Sequence, residues 1–177
     1  MHPEFVYRQA TADDALCLSV LASQVFLDTY ATNGVNFDLA KEVTSVLSRK
    51  VFLQRIESSD VEIWIATQDG NLVGFLDLDF SSSCPDASVS GVEILRLYVQ
   101  QPFQRRNVGR TLMAIAEERA CKRGKESLWL TAWVGNLKAR DFYKALGYAD
   151  AGTTPYVIEG KEYENRILAK DLSAKHE

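Results

Sequence analysis

Histidine is the residue that this sequence most nearly lacks. Its 177 residues include only His2 and His176, one near each end of the chain. A Ser-His-Asp triad or a histidine-based metal site needs imidazoles, and the motifs G-x-S-x-G and H-E-x-x-H are absent as well. The sequence therefore argues against many hydrolases, and we expect no metal site.

Cysteine is also scarce, and long apolar runs are missing. Cys17, Cys84 and Cys121 are odd in number and far apart, which favours reduced thiols over a disulfide framework. No apolar run approaches the length of a membrane span, and the opening residues, MHPEFVYRQA, contain no apolar signal segment. We therefore expect a cytoplasmic protein that does not bind a membrane.

The charge balance is mildly acidic. With 24 acidic and 20 basic residues, the formal net charge is −4. Proteins that bind nucleic acid usually carry a basic face, so this balance weighs against that class. It is compatible with a cationic substrate.

Hydrophobic periodicity predicts helices and strands along the whole chain. Leu16 and Val20 recur at helical spacing in a first helix, and a second helix is predicted over about residues 38–56. The segments VEIWIAT and LVGFLDLDF flank QDGN, which predicts a β-hairpin. A strand in GVEILRLYV, a helix from Gly109, a strand in SLWLTAWV, a helix after Asn136 and two or three antiparallel segments follow. This order predicts one mixed α/β domain over residues 1–177.

The stretch FQRRNVGRTLM places a turn between a strand and a helix. Free N–H groups and the helix dipole put about half a positive charge at a helix start. Gly109 lets the backbone approach a ligand closely, and Asn107 tolerates a left-handed backbone. The turn therefore predicts an anion site, and the alternative is a helix start with solvated arginines. The arginines around the turn are Arg105, Arg106 and Arg110.

Two segments resemble the GNAT superfamily of N-acetyltransferases. Its pattern Q/R-x-x-G-x-G/A is met by Gln104, Arg105, Arg106, Asn107, Val108 and Gly109, with Asn107 in place of the first glycine. The second segment, LTAWVGNLKARDFYKALGY, is similar to the other hallmark of the superfamily. The resemblance covers residues 61–172 most strongly. It implies a mixed, mostly antiparallel twisted sheet flanked by helices, with splayed central strands that hold acetyl-CoA.

The resemblance also implies roles for named residues in acetyl transfer by direct attack. Residues 104–110 hold the pyrophosphate of acetyl-CoA. Leu97, Tyr98 and Val99 pair with its pantetheine arm, and the N–H of Val99 or a close neighbour stabilises the oxyanion. Asn136 lies near the cofactor arm, caps the following helix, or does both. Tyr143 acts as general acid, or merely completes an amphipathic helix.

Glu93 is the candidate general base. It alternates with Leu95, Leu97 and Val99 in the strand, so it is expected on an otherwise apolar face. A pair with Arg96 or a lysine is the alternative. The stretch EILRLYV also resembles the spermidine/spermine acetyltransferase subgroup, in which a glutamate stands near this place.

Acidic residues are the candidates for binding the acceptor. Asp28 and Tyr30 are expected to contact a cation, and Asp77 with Asp79 to add negative potential, although surface acids are common.

Three functions remain open at this stage. An acetyl-CoA-dependent N-acetyltransferase is favoured, with a small polyamine as acceptor ahead of other small amines or a protein N-terminus. A non-catalytic acyl-CoA-binding regulatory domain is the second. A nucleic-acid-binding module is the third and is disfavoured by the acidic charge. A homodimer is compatible with the sequence.

Overall fold

A computed structural model describes residues 4–173, so His2 and His176 lie outside the described residues. Within this range, no helix combines the length and hydrophobicity that crossing a bilayer requires. The strands are β1 (Phe5–Gln9), β2 (Val61–Gln68), β3 (Asn71–Asp79), β4 (Val92–Val99), β5 (Ser127–Trp133), β6 (Ala149–Ile158) and β7 (Lys161–Asp171). The helices are α1 (Ala15–Tyr30), α2 (Phe37–Ser45), α3 (Arg49–Glu57), α4 (Val108–Lys122) and α5 (Leu137–Ala145).

The strands form a mostly antiparallel seven-stranded sheet in the order β1-β2-β3-β4-β5-β7-β6, which confirms the mixed α/β class. Strands β4 and β5 run parallel and pair at Val92–Leu128 and Glu93–Trp129. Among the described residues their register has no further pair, although β4 continues to Val99 and β5 to Trp133. The two central strands are therefore joined at their amino-terminal ends only.

The chain divides into two compact units. The first contains the chain up to Leu78 together with Arg96–Ile115, and the second contains Asp79–Leu95 and the chain from Ala116 onward. Each unit has its own apolar core of fully buried side chains. In the first unit these include Leu18, Phe52, Ile65 and Phe75, and in the second Leu128, Leu130, Ile158 and Ile167.

The helical part of the first unit differs from the sequence-based prediction in two ways. The buried residues of α1 are Ala15, Leu18, Leu21, Ala22 and Phe26, whereas Leu16 and Val20 are 57% and 63% exposed. Helical spacing identifies an apolar stripe, but it does not show which of two such stripes packs against the core. The single helix predicted over residues 38–56 is two helices, because Ser48 is extended and its side chain accepts from Val51 N–H to start α3.

A buried ion cluster joins three elements of the first unit. Asp77 on β3 has a wholly buried carboxylate, which accepts hydrogen bonds from Arg55 of α3 at 2.7 Å and from Arg96 of β4 at 2.8 Å. The Arg96 guanidinium also lies 5.6 Å from the ring centre of Phe52. The prediction that Asp77 adds negative potential for a substrate is therefore wrong, because two arginines neutralise it inside the protein.

This cluster generates a stability prediction. Asp77→Asn should lower the free energy of unfolding by about 3 kcal/mol or more, because it removes the buried negative charge that the Arg55 and Arg96 guanidinium groups share. Urea unfolding measures the change. The matched control is Asp150→Asn, which breaks the partly exposed ion pair with Arg166 and should cost about 1 kcal/mol or less. Equal losses in both variants would contradict the assignment of Asp77 to the core.

Candidate functional site

The turn between β4 and α4 has an unusual backbone. Arg105 has a φ of 60° and Asn107 a φ of 65°, while Arg106 between them does not have positive φ. Left-handed backbone is costly for most residues and least so for glycine and asparagine. An alternation in the sign of φ turns successive N–H groups toward one side, which is how anion-binding nests form. The structure therefore has the left-handed position that Asn107 predicts, and adds a second at Arg105.

The N–H groups of this turn are poorly paired within residues 4–173. The first helical hydrogen bond of α4 runs from Thr111 N–H to the Asn107 carbonyl at 2.9 Å. Before the turn, Gln104 N–H donates to the Gln101 carbonyl at 3.2 Å. Between them, the N–H groups of residues 105–110 make no hydrogen bond of good geometry to an acceptor within residues 4–173. These consecutive amides at a helix start are thus available to solvent or to an anion.

Gln104 ties this turn to the end of β4. Its Nε2 donates to the Val99 carbonyl at 3.0 Å. Gly74 of β3 approaches the same place, because a Cβ there would lie 2.9 Å from the Tyr98 carbonyl oxygen and 3.1 Å from Val99 Cγ2. The sequence analysis missed Gly74, although an isolated glycine within a strand pattern signals such a close approach.

The three arginines of the turn are not equivalent. The Arg106 guanidinium lies 4.8 Å from the ring centre of Phe5 and 5.6 Å from that of Phe103, so it packs on aromatic faces. Arg105 and Arg110 are exposed, and neither has an ion-pair partner in the described part of the chain. Their positive charge is therefore not compensated locally.

Strand β4 exposes part of its apolar surface. Leu95 is 37% exposed, and Leu97 and Val99 are half-buried. Desolvation raises the pKa of Tyr98, so its hydroxyl stays protonated at neutral pH. Glu93 is half-buried and lies opposite Trp129 in the β4–β5 register. Arg96, the partner considered for Glu93, pairs with Asp77.

Helix α5 in the second unit carries Asn136 and Tyr143. Asn136 caps the helix, because its Oδ1 accepts from Ala139 N–H at 3.1 Å. Tyr143 is 8% exposed and packs edge-on against Phe142 and Tyr148, with ring centres 5.3 and 6.0 Å away. Burial raises the pKa of Tyr148, whose hydroxyl has no partner among the described residues.

Asp28 and Tyr30 both lie in the last turn of α1. Asp28 is exposed, and the Tyr30 ring packs on Phe26 with a centre-to-centre distance of 4.7 Å. Residues two apart on a helix do not share a face. The helix therefore does not bring these two side chains together.

Known proteins resemble this chain in sequence. The family model described as the acetyltransferase (GNAT) family matches residues 31–148. An uncharacterized N-acetyltransferase in the pepI 3′ region of Lactobacillus delbrueckii subsp. lactis is 26% identical over 153 residues, which cover 86% of this chain and 88% of the relative.

Solved structures share the fold. The PaiA N-acetyltransferase of Thermoplasma acidophilum, crystallised with coenzyme A, has a TM-score of 0.74 at 22% identity, covering 95% of this chain and 99% of that one. The ribosomal-protein-S18-alanine N-acetyltransferase of Escherichia coli has a TM-score of 0.66 at 19% identity, covering 96% and 95%. At these identities the likeness shows the fold alone.

The left-handed backbone at Asn107 generates the second prediction. Asn107→Val should lower the free energy of unfolding by about 1–2 kcal/mol, because a β-branched side chain clashes at φ of 65°. Asn107→Gly should change it by less than about 1 kcal/mol, since glycine adopts this backbone freely. Chemical denaturation of both variants checks this. A valine variant as stable as the glycine variant would contradict the observed turn.

Proposed function

Because the chain belongs to the acetyltransferase (GNAT) family and is thus an N-acetyltransferase, we propose that it transfers the acetyl group of acetyl-CoA to a small primary amine by direct attack. A polyamine is the favoured acceptor. The observation that carries the proposal is the run of unpartnered N–H groups over residues 105–110, preceded by the strand β4. We further propose that residues 1–177 act as one such domain in the cytoplasm.

The residues of the turn fit a diphosphate. Backbone N–H groups at a helix start donate to phosphate oxygens, and the helix dipole favours negative charge there. Arg105 and Arg110 add charge that no neighbouring carboxylate neutralises among the described residues. Gln104 fixes the turn to the Val99 carbonyl. In the proposal, this turn binds the pyrophosphate, and Leu97, Tyr98 and Val99 bind the pantetheine arm through backbone groups.

The steps of acetyl transfer give roles to the remaining candidate residues in this proposal. Acetyl-CoA supplies a thioester carbonyl and a thiolate leaving group. An amine with a pKa of about 10 must lose a proton before attack, which costs about 4 kcal/mol at neutral pH, and Glu93 takes that proton directly or through water. The N–H of Val99 stabilises the oxyanion. Tyr143 donates a proton to the departing sulfur, and Asn136 lies near the cofactor arm while capping α5.

Support for a polyamine comes from charge. The chain is acidic overall, Asp28 is exposed, and Glu93 stands on a strand that is otherwise largely apolar. In this proposal Asp28 and Tyr30 contact the acceptor separately, since α1 does not bring them together. Other small amines and a protein N-terminus are the remaining acceptor classes.

The test is to incubate the protein with acetyl-CoA and a panel of amines and to measure thiol release. The panel contains spermidine, 1,4-diaminobutane, 1-aminobutane and a peptide with a free N-terminus. Amine-dependent thiol release supports the proposal, and the acceptor with the highest kcat/KM identifies its class. Tight coenzyme A binding without turnover on any amine would instead favour a non-catalytic acyl-CoA-binding domain.

Gly109→Asp tests the diphosphate site. The carboxylate should weaken coenzyme A binding at least tenfold, because it places negative charge and a side chain beside the phosphates. The fold should be retained, because an acidic residue at a helix start is favourable. Isothermal titration measures affinity. The control is Ala114→Asp, which adds the same charge at an exposed position further along α4. Unchanged affinity in Gly109→Asp would contradict the site.

Tyr143→Phe tests the general acid. It should lower kcat by about 100-fold or more while leaving coenzyme A affinity unchanged, because only the proton donor is removed. The control is Tyr148→Phe. That variant removes a neighbouring buried hydroxyl that has no partner among the described residues and should retain kcat. If both variants are equally active, Tyr143 is not the acid.

A further inference from the structure

One face of the second unit gathers polar groups, and apart from Glu93 the proposed mechanism does not use them. Residues opposite one another in a strand register share a face of the sheet. Glu93 lies opposite Trp129, Thr131 opposite Ile167, and Trp133 opposite Asn165. We call this surface the Asn165 face. Its members are Glu93, Trp129, Thr131, Trp133, Asn165 and Ile167.

Asn165 is the unusual member of this face. The residue is only 5% exposed. Its Nδ2 makes a long contact of 3.5 Å with Thr131 Oγ1, and its Oδ1 accepts no hydrogen bond from the described residues. A buried carbonyl oxygen without a donor is costly, so native proteins rarely retain one unless something else binds it. Thr131 beside it is half-exposed.

A carboxylate from a neighbouring loop lies beside the same face. The carboxylate of Asp86, in the loop between β3 and β4, lies 3.5 Å from the Cβ position of Gly152, and Ile167 Cδ1 lies 4.0 Å from that position. Hydrogen bonds from Ser88 lower the pKa of Asp86, so it is ionised at neutral pH. Burial, and then the charges of Asp86 and Glu93, raise the pKa of the Cys84 thiol. The loop thus places an ionised carboxylate beside Gly152 and Ile167.

These groups share one chemical preference. Carboxylates and an amide oxygen accept hydrogen bonds and attract cations, so the complementary group is an ammonium. Trp129 has an unpartnered Nε1 on the same face, but this atom donates and cannot bind an ammonium. Asn165 Oδ1 is therefore the unsatisfied acceptor on this face, and an ammonium N–H is a donor that fits it.

We propose that Asn165 determines acceptor specificity by accepting a hydrogen bond at Oδ1 from a second, protonated nitrogen of the amine substrate. The acceptor class is then a diamine or polyamine, in which one nitrogen reacts and another is held as a cation beside Asn165. Asp86, which lies beside Gly152 and Ile167 on the same face, supplies compensating negative charge. This inference rests on the proposed N-acetyltransferase function.

The experiment compares two acceptors of equal carbon number, 1,4-diaminobutane and 1-aminobutane. Asn165→Ala should raise KM for the diamine by about tenfold or more, because a hydrogen bond to a charged group is lost. KM for the monoamine and for acetyl-CoA should stay unchanged. Asn165→Asp keeps an acceptor oxygen in the same place, so it should restore diamine KM to the wild-type value or below. Thermal unfolding confirms that each variant is folded.

Gln68→Ala is the matched control, because Gln68 on β2 also has a buried amide oxygen without a partner in the described residues. It should leave every KM unchanged. The inference is overturned if Asn165→Ala leaves KM for the diamine unchanged, or if it raises KM equally for the diamine and the monoamine. It is also overturned if only thermal stability falls, which is the result expected for an oxygen that binds a structural water. If Asn165→Ala does not fold, a tenfold increase in KM for the diamine in Asn165→Asp overturns the inference instead. A wild-type protein that binds coenzyme A but acetylates no amine overturns the proposed function itself, and this inference with it.

Discussion

The proposed function depends on the supply of main-chain N–H groups between β4 and α4. A helix start leaves its first amides without carbonyl partners, and left-handed backbone at Arg105 and Asn107 adds the preceding ones. The result is a run of six adjacent donors that make no hydrogen bond of good geometry within residues 4–173. Because the donors belong to the backbone, the proposed site needs no particular side chain at Asn107, where the family pattern has a glycine.

These donors keep their positions only if the end of strand β4, which precedes them in the chain, is itself fixed. Gln104 bonds to the Val99 carbonyl, and Gly74 allows β3 to approach Tyr98 and Val99 closely. The buried Asp77 holds Arg96, immediately before Leu97, in an ion cluster with Arg55. Asp77, an acidic residue that the sequence alone suggests for the surface, thus helps to fix strand β4.

Local signals were predictable from the sequence and tertiary ones were not. The left-handed position at Asn107, the cap at Asn136 and the hairpin around Gly70 follow from backbone preferences of single residues. The core side of α1 and the burial of Asp77 depend on partners far along the chain, which spacing does not identify. The unsatisfied oxygen of Asn165 is likewise invisible in the sequence, because it is defined by which neighbours fail to donate to it.

The central claim is that the amides of residues 105–110 bind the diphosphate of coenzyme A. Its most direct test is an NMR titration of the ¹⁵N-labelled protein, with coenzyme A in one series and pantetheine, which lacks the diphosphate, in the other. The account predicts that coenzyme A shifts the amide resonances of residues 105–110 strongly and that pantetheine leaves them in place. Saturating coenzyme A binding that shifts amides elsewhere and leaves these six unchanged would contradict it.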